Sequence, residues 1–234
     1  MEEQTLAAIV VAAGSSRRMD GIDKIWAPLA GRPILAHSCL SMAQAASELI
    51  VVIKQADEVR AVQMLEGLHL GIPWRITRGG ARRQDSVRSG LASIRSSRFV
   101  AIHDAARPLA TPALLDRTFV AARACGAAIP ALMVSDTVKR VVQEQVIESV
   151  DRSNLWAVQT PQVFSVNVIR RAYRQAEGAD ELVTDDAMLV ERTEGSVAVV
   201  QGELWNFKVT TPGDLEMAEA LLSIRHHTAM ARPA

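Results

Sequence analysis

The sequence predicts an α/β protein whose doubly wound, mostly parallel sheet carries helices on both faces. Short apolar runs rich in β-branched residues alternate with longer segments of helical periodicity, which is the pattern of repeated strand-helix units. The first run leads directly into a glycine-containing loop. With 234 residues, of which 49% are hydrophobic, the chain can bury one full core, and we expect a single domain over residues 1–234.

The first half of the chain supplies most of this alternation. Continuous apolar runs are typical of strands buried on both faces, and they predict strands at residues 6–12, 48–54, 74–77, 99–103 and 127–133. The segments between them repeat apolar residues at helical spacing and predict helices at residues 33–46, 57–68, 85–95 and 112–125. Because crossovers between parallel strands are right-handed, these helices should cover both faces of the sheet.

The alternation changes after residue 133. Two β-like runs at residues 137–142 and 146–150 flank the polar turn Gln143-Glu144-Gln145, and they predict a hairpin arm over residues 134–155 that projects from the domain. The elements predicted beyond the arm are a segment of mixed character at 165–175, a helix at 185–192, strands near Val197 and Phe207, and a helix at 212–225. We expect residues 226–234 to form a flexible tail.

The composition excludes several classes of function. Lys and Arg total 26 and Asp and Glu total 26, so no net field attracts the chain to nucleic acid or to an anionic membrane. No apolar run reaches the roughly 18 residues of a membrane span, and residues 1–5 lack the regions of a secretion signal. We therefore expect a soluble, cytoplasmic protein in which Cys39 and Cys125 are buried and reduced.

The loop after the first strand is a candidate phosphate site. Small side chains there let backbone amides approach phosphate oxygens, and the residues concerned are Ala12, Ala13, Gly14 and Ser15. Arg18 and Lys24 follow and supply the positive charge that a triphosphate needs. The loop matches neither the Walker nor the dinucleotide-binding fingerprint. A tight strand-to-helix turn with two solvated arginines is the alternative for the loop taken alone.

This loop resembles the signature loop of the nucleotidyltransferases that activate sugars, polyols and cofactors. The resemblance is carried by Ala-Ala-Gly-Ser-Ser-Arg-Arg-Met at residues 12–19, followed by Asp23-Lys24 and Gly31-Arg32-Pro33. It implies a Rossmann-like nucleotidyltransferase fold and leaves the substrate open. Residues 23–33 are also similar to the guanylyltransferases that attach GMP to the molybdenum cofactor, although the later motifs of this chain are not.

Four later segments narrow the resemblance. They are residues 79–87, the run His103-Asp104-Ala105-Ala106-Arg107-Pro108, residues 150–156 with Thr160-Pro161-Gln162, and Thr184-Asp185-Asp186-Ala187. With the loop, they resemble the 2-C-methyl-D-erythritol 4-phosphate cytidylyltransferases of the non-mevalonate isoprenoid pathway. That family implies transfer of CMP from CTP to the polyol phosphate, release of pyrophosphate, Mg²⁺ as the cation, and a homodimer. Ribitol 5-phosphate cytidylyltransferases are a close alternative that differs mainly in the polyol pocket.

The Gly79-Gly80 pair has a physical interpretation of its own. Bare backbone at a strand end can meet the edge of a base, and Ser86 can hydrogen-bond that base from the following helix. We take Gly80, Ala81 and Ser86 as the cytosine pocket. Three nearby arginines could add positive potential to this pocket, namely Arg82, Arg83 and Arg88. A charge cluster at the start of a surface helix is more often simply solvated.

Asp104 stands at the carboxyl end of a predicted central strand, where a carboxylate can hold Mg²⁺ against triphosphate oxygens. A lone aspartate in this position also commonly caps a turn. Arg107 lies close by, and we expect it to bind the phosphate or polyol of the substrate. His103 closes an apolar strand and is interpreted as structural rather than catalytic.

The remaining site residues depend on the resemblance. An arm that swaps across a dimer would bring Thr137 and Arg152 to the neighbouring site, and Lys208 would contact the transferring phosphate. Thr160 and Thr184 complete the substrate-binding set. The catalytic cations would then be Arg18, Lys24 and Lys208. In-line attack on the α-phosphorus by an already ionised phosphate requires no general base.

The chain departs from the family pattern at three positions. Where many members have Pro-Lys-Gln in the first loop, this chain has Asp23-Lys24-Ile25, which retains the lysine, and Phe207 stands where a smaller aliphatic residue is usual. Two other classes of function remain as alternatives. A regulatory domain could hold a nucleotide without turnover, and an NAD-dependent oxidoreductase is disfavoured by the glycine spacing of the loop.

Overall fold

The computed structural model describes residues 5–14, 23–177, 183–193 and 195–230. The strands in these ranges are β1 (Leu6–Val11), β2 (Pro28–Leu29), β3 (Arg32–Pro33), β4 (Glu48–Ile53), β5 (Trp74–Arg78), β6 (Phe99–Asp104), β7 (Ala127–Met133), β8 (Val138–Val142), β9 (Gln145–Val150), β10 (Trp156–Val158), β11 (Gln162–Ser165) and β12 (Ala198–Gln201). The α-helices are α1 (Ile34–Ala43), α2 (Glu58–Leu68), α3 (Arg83–Ala92), α4 (Pro112–Cys125), α5 (Val166–Gln175), α6 (Asp186–Thr193) and α7 (Pro212–Met230).

Eight strands form a central sheet in the order β10-β7-β11-β6-β1-β4-β5, with β12 also paired to β7. Strand β1 pairs in parallel with β4 and β6, and β4 pairs in parallel with β5. The carboxyl ends of these four strands therefore meet at one edge of the sheet. Strand β11 is antiparallel to β6 and β7, and β10 is antiparallel to β7. The prediction of a mostly parallel sheet is confirmed.

Alternating side chains of β1 divide the core into two layers. Leu6, Ala8 and Val10 pack in the layer that contains α1, α2 and α4, whereas Ala7 and Ile9 pack in the layer that contains α3, α5 and α6. Burial of each large aliphatic side chain in these layers contributes about 1.5–3 kcal/mol of hydrophobic stabilisation. Helices therefore cover both faces, as the doubly wound prediction requires.

The short strands β2, β3 and β10 were not predicted, and two further segments differ from the predicted elements for tertiary reasons. Strand β11 was not predicted, because four residues show no periodicity and their partners are the distant strands β6 and β7. The strand predicted near Phe207 is wrong. The chain there is fixed instead by single contacts: Val209 N donates to Ala106 O at 2.8 Å, and the buried Asn206 amide donates to Thr160 O at 2.8 Å.

The cysteines fall in different environments. Cys39 of α1 is buried, as predicted, but Cys125 at the end of α4 is exposed. The Cys125 thiol donates to Ala121 O at 3.2 Å and to Ala127 O at 3.1 Å. The prediction of a buried Cys125 was wrong because Ala122 is the last buried residue of α4, so the final residues of the helix lie beyond the core.

The predicted hairpin arm is present. Strands β8 and β9 pair with each other in a separate two-stranded sheet, and their turn places Gln143 and Glu144 at φ 47° and 63°. Apolar side chains of the arm are left exposed, namely Val141, Val142, Val146 and Ile147. Within the described residues, then, these side chains lack apolar cover.

The carboxyl-terminal helix α7 continues to Met230, past the predicted end at residue 225. Residues 231–234 lie outside the described ranges, so the flexibility of the tail stays a prediction. Among the described helices, none combines the length and the hydrophobicity needed to cross a lipid bilayer.

Candidate active site

A cleft of about 310 Å³ opens at the sheet edge where β1, β4, β5 and β6 end. Lys24, Asp104 and Lys208 all line it, although they are far apart in the sequence. The small predicted nucleotide-binding residues that also line it are Ala12, Ala13, Gly14, Gly80, Ala81 and Ser86. Ser15 and Arg18 lie outside the described residues. The structure thus brings together most of the predicted nucleotide-binding residues.

The two small-residue loops contact each other closely at Gly79. A Cβ at this position would overlap Ala13 Cβ and would lie 2.7 Å from Ser86 Oγ, so only glycine fits. Ser86 Oγ accepts a hydrogen bond from Gly80 N at 3.2 Å and donates to Arg82 O at 3.3 Å. In this structure, Ser86 therefore holds the backbone of residues 80–82, which includes part of the predicted cytosine pocket, in place.

Lys24 is presented to the cleft by a short 3₁₀ turn, Lys24–Trp26. The next two side chains, Ile25 and Trp26, are buried in the core, and the guanidinium of Arg60 lies 4.2 Å from the centre of the Trp26 ring. These contacts hold the turn in place, so the backbone of Lys24 has a fixed position at the edge of the cleft.

Asp104 is the carboxylate of the cleft, and both of its oxygens are engaged. Its Oδ2 accepts from Lys208 Nζ at 2.7 Å, and its Oδ1 accepts from Arg83 Nε at 3.1 Å. Burial alone would raise the pKa of Asp104, but the charges of Arg83 and then Lys208 outweigh it and hold the pKa well below its usual range. Asp104 is therefore ionised at neutral pH.

Arg83 lines the cleft, although its place in a charge cluster at the start of a helix favoured a solvated side chain. Its NH1 lies 2.9 Å from Oδ2 of Asp186, a fully buried carboxylate whose Oδ1 accepts from Tyr173 Oη at 2.6 Å. The Arg83–Asp186 approach is an ion contact without hydrogen-bond alignment. Burial lowers the pKa of Arg83, but Asp186 and Asp104 more than compensate and raise it. Residues 184–187 carry one of the motifs of the resemblance, but nothing local in the sequence connects them to Arg83.

His103, Thr160 and Arg107 belong to one hydrogen-bond network next to Asp104. Thr160 Oγ1 lies 3.1 Å from His103 Nδ1 and accepts from Asp104 N at 3.0 Å. Arg107 donates to Asn206 O at 2.7 Å and to Val158 O at 3.4 Å. Burial lowers the pKa of His103 to about 4, so the imidazole is neutral at pH 7. The substrate-binding roles of Thr160 and Arg107 stay predictions, because neither is among the residues that line the cleft.

The other predicted substrate-binding residues are exposed and lie away from the cleft of their own chain. Thr137 and Arg152 lie in the arm just outside its two strands, and the Arg152 guanidinium donates to Val134 O at 3.0 Å. Thr184 precedes α6, with its hydroxyl 3.8 Å from Met188 Sδ. None of the three is among the residues that line this cleft, so their substrate-binding roles stay predictions.

Asp104 fits a metal that arrives bound to a nucleotide. Among the described residues, no group of three His, Cys, Asp or Glu side chains is arranged to hold a metal ion. Mg²⁺ is commonly bound by one or two carboxylates together with waters and substrate phosphates. Among the described residues that line the cleft, Asp104 is the carboxylate and lies beside several cations. This suits that arrangement, provided that Arg83 or Lys208 gives up its contact with Asp104.

Comparison with known proteins agrees with this geometry. Residues 6–224 match the family described as IspD, 2-C-methyl-D-erythritol 4-phosphate cytidylyltransferase. A relative of that name from Dehalococcoides mccartyi is 41% identical over 223 residues, covering 94% of this chain and 96% of the relative. One from Bacillus velezensis is 39% identical over 218 residues, covering 92% and 94%.

Solved structures give the same result. The 4-diphosphocytidyl-2C-methyl-D-erythritol synthase of Anaerococcus prevotii superposes with a TM-score of 0.82 at 31% identity, covering 94% of this chain and 99% of that one. The 2-C-methyl-D-erythritol 4-phosphate cytidylyltransferase of Thermus thermophilus gives 0.78 at 32% identity, covering 92% and 98%. The chain therefore belongs to the 2-C-methyl-D-erythritol 4-phosphate cytidylyltransferase family.

Proposed function

We propose that this chain transfers the cytidylyl group of CTP to 2-C-methyl-D-erythritol 4-phosphate, releasing pyrophosphate and forming 4-diphosphocytidyl-2-C-methyl-D-erythritol. Membership of the family gives the reaction class, cytidylyl transfer. The observation that carries the proposal is the cleft, which is lined by two small-residue loops together with Lys24 and Lys208. Such a cleft suits a nucleoside triphosphate, because backbone amides and cations both favour phosphate oxygens.

The reaction needs charge and position more than proton transfer. An oxygen of the substrate's phosphate forms a bond to the α-phosphorus of CTP, while the bond from that phosphorus to the bridging oxygen breaks and pyrophosphate leaves. A base is unnecessary because the attacking phosphate is already ionised. His103 is neutral, buried and hydrogen-bonded internally, which agrees with a structural role.

The cations of the cleft stabilise the charge on the phosphoryl oxygens in this proposal. Lys24 and Lys208 are assigned to the triphosphate and the transferring phosphate, together with Arg18. Lys208 Nζ lies 2.7 Å from Oδ2 of Asp104. A triphosphate carries more negative charge than one carboxylate, so we expect it to draw Lys208 away while Arg83 keeps Asp104 in place.

We include Mg²⁺ in the proposal as the cation of the triphosphate, with Asp104 as its protein ligand. When bound there, Mg²⁺ would neutralise charge on the phosphate oxygens. Asp104→Ala should shift the Mg²⁺ titration of turnover to higher concentration. Asp116→Ala, which removes an exposed carboxylate of α4, is the matched control and should leave the titration unchanged. A titration of the Asp104 variant that coincides with wild type would reject Asp104 as a ligand.

We also propose a homodimer in which the arm of one subunit reaches the other. The exposed apolar side chains of β8 and β9 support it, because an isolated two-stranded hairpin is marginally stable and gains from pairing with a partner. Thr137 and Arg152 would then act in the neighbouring site. Sedimentation equilibrium should give twice the chain mass, and a monomer at micromolar concentration would contradict this part of the proposal.

The substrate assignment is tested by a pyrophosphate-release panel. CTP, GTP, ATP and UTP are each combined with methylerythritol phosphate and with ribitol phosphate, and we expect turnover with CTP and methylerythritol phosphate. Preference for ribitol phosphate would identify the chain as a ribitol 5-phosphate cytidylyltransferase. CTP binding without release of pyrophosphate would indicate a regulatory domain.

We further propose that the reaction occurs in the cytoplasm, which cell fractionation followed by the same assay would check.

A further inference from the structure

Lys54 is a cation of the cleft that lies outside the set of residues assigned above. It directly follows β4, lines the cleft, and has a side chain that is 35% exposed. Its Nζ lies 3.3 Å from Oδ2 of Asp23, whose side chain is 34% exposed. Asp23 is the residue that stands where many family members have proline, immediately before Lys24. One departure of this chain from the family pattern is therefore in contact with an additional cation.

The backbone around Lys54 fixes its position between the two walls of the cleft. Ala12 N, in the loop after β1, donates to Val52 O at 2.8 Å, and Gly79 N donates to Ile53 O at 2.9 Å. The segment that ends at Lys54 is thus hydrogen-bonded on one side to the predicted phosphate loop and on the other to the predicted base pocket. A flexible lysine at this point can reach a ligand that spans both walls.

We propose that Lys54 is a nucleotide-binding residue of this chain that contacts the triphosphate, and that its ion-pair partner Asp23 competes with the triphosphate for it. The inference rests on the function proposed above in that CTP is taken as the ligand. A partly exposed ion pair is weak, and the several charges of a triphosphate compete well against one carboxylate. Binding therefore exchanges the carboxylate for phosphate oxygens, and Asp23 acts as a competitor of the nucleotide.

The neighbouring strand offers a matched control. Arg78 ends β5 beside Ile53 in the sheet register, and its NH2 lies 3.0 Å from Oε2 of Glu58. Like Lys54, Arg78 is a cation at the carboxyl edge that pairs with a carboxylate from another element. Its side chain is 60% exposed, and it is not among the cleft-lining residues. Arg78→Met therefore removes a similar ion pair without removing charge from the cleft.

Calorimetric titration with CTP and Mg²⁺, in the absence of the polyol phosphate, tests the inference. Lys54→Met should weaken CTP binding about tenfold, the value for loss of one charge-assisted contact, and Lys54→Arg should restore most of it. Asp23→Asn should tighten binding about threefold by removing the competitor. In turnover assays, Lys54→Met should raise the KM for CTP with kcat within about twofold of wild type, as expected for uniform binding. Arg78→Met should match wild type in both measurements.

Two results would overturn the inference. Equal CTP affinity of Lys54→Met and wild type would show that Lys54 does not contact the nucleotide. If Lys54→Met and Asp23→Asn weaken CTP binding equally and both reduce kcat, the ion pair has a structural role, which is to hold the segment that carries Lys24. The proposed function fails separately, if wild type binds CTP but releases no pyrophosphate with either polyol phosphate.

Discussion

The sheet edge and the hairpin arm place their functional side chains in different ways. At the edge, Asp104 is held from two sides by cations, and one of these is itself anchored by the buried Asp186. In the arm, apolar side chains such as Val146 and Ile147 are exposed, and Arg152 donates to Val134 at the base of the same arm. In the described part of the chain, the charges of the cleft are thus held by internal contacts, whereas the apolar side chains of the arm are left without cover.

The largest effect is expected from removing a cation of the cleft. Lys24→Ala should lower kcat by about 100-fold or more, as loss of one donor to a developing charge does in other enzymes. The melting temperature should stay near that of wild type, because Lys24 lies at the lip and the buried residues behind it are unchanged. Arg32→Ala, an exposed cation outside the cleft lining, is the control. Turnover of Lys24→Ala within about threefold of wild type would exclude the assigned role.

Mixing variants distinguishes an arm that acts across a dimer from one that does not. Arg152→Ala should abolish most use of the polyol phosphate, and Lys24→Ala should abolish most turnover. If the arm swaps, about half of the chains in a refolded mixture form heterodimers with one intact site, which recovers about a quarter of wild-type activity. Heterodimers that form without recovery would show that Arg152 does not act in the neighbouring site. Arg152→Lys tests whether charge alone is sufficient.

A smaller effect is expected from the anchor of Arg83. Asp186→Asn should lower kcat about tenfold, because Arg83 would lose its fixed position beside Asp104, and it should lower the free energy of unfolding by about 2–3 kcal/mol, since Arg83 is partly exposed. Tyr173→Phe, which removes only the hydroxyl that donates to Asp186, should cost about 1 kcal/mol. Urea unfolding and steady-state kinetics measure both quantities. A normal kcat for Asp186→Asn would show that the position of Arg83 does not matter for turnover and that Arg83 has a structural role.

At neutral pH the smallest effect is expected from His103, because its titration changes stability only under acidic conditions. The folded pKa of His103, about 4, lies below its ordinary value of 6.5, so between these values the unfolded chain binds a proton that the folded chain does not. The free energy of unfolding should therefore fall as the pH drops from 6.5 to 4, by up to about 3 kcal/mol. The pKa of Asp104 is lowered from 3.8, so its contribution is lost only below that range. His103→Asn should flatten the first phase, and an unchanged slope would contradict the assignment.

Much of the fold could be predicted because its signals are local. The strand now seen as β7 and the helix now seen as α4 lie at the predicted residues, since apolar runs and helical periodicity are set within a few residues. The exposed Cys125 and the absence of a strand at Phe207 were missed. Both depend on where the core ends and which backbone partners are nearby, and neither leaves a local pattern.

For the site, the amino-acid order alone shows that small residues and charges follow the predicted strands, and a parallel sheet collects the ends of those strands along one edge. Which of these charges meet depends on tertiary packing. Arg83 contacts Asp104 and Asp186, and Lys54 contacts Asp23, over separations for which no periodicity or spacing exists. Such pairs form wherever folding brings opposite charges within a few ångströms, so their partners are fixed by packing rather than by neighbouring residues.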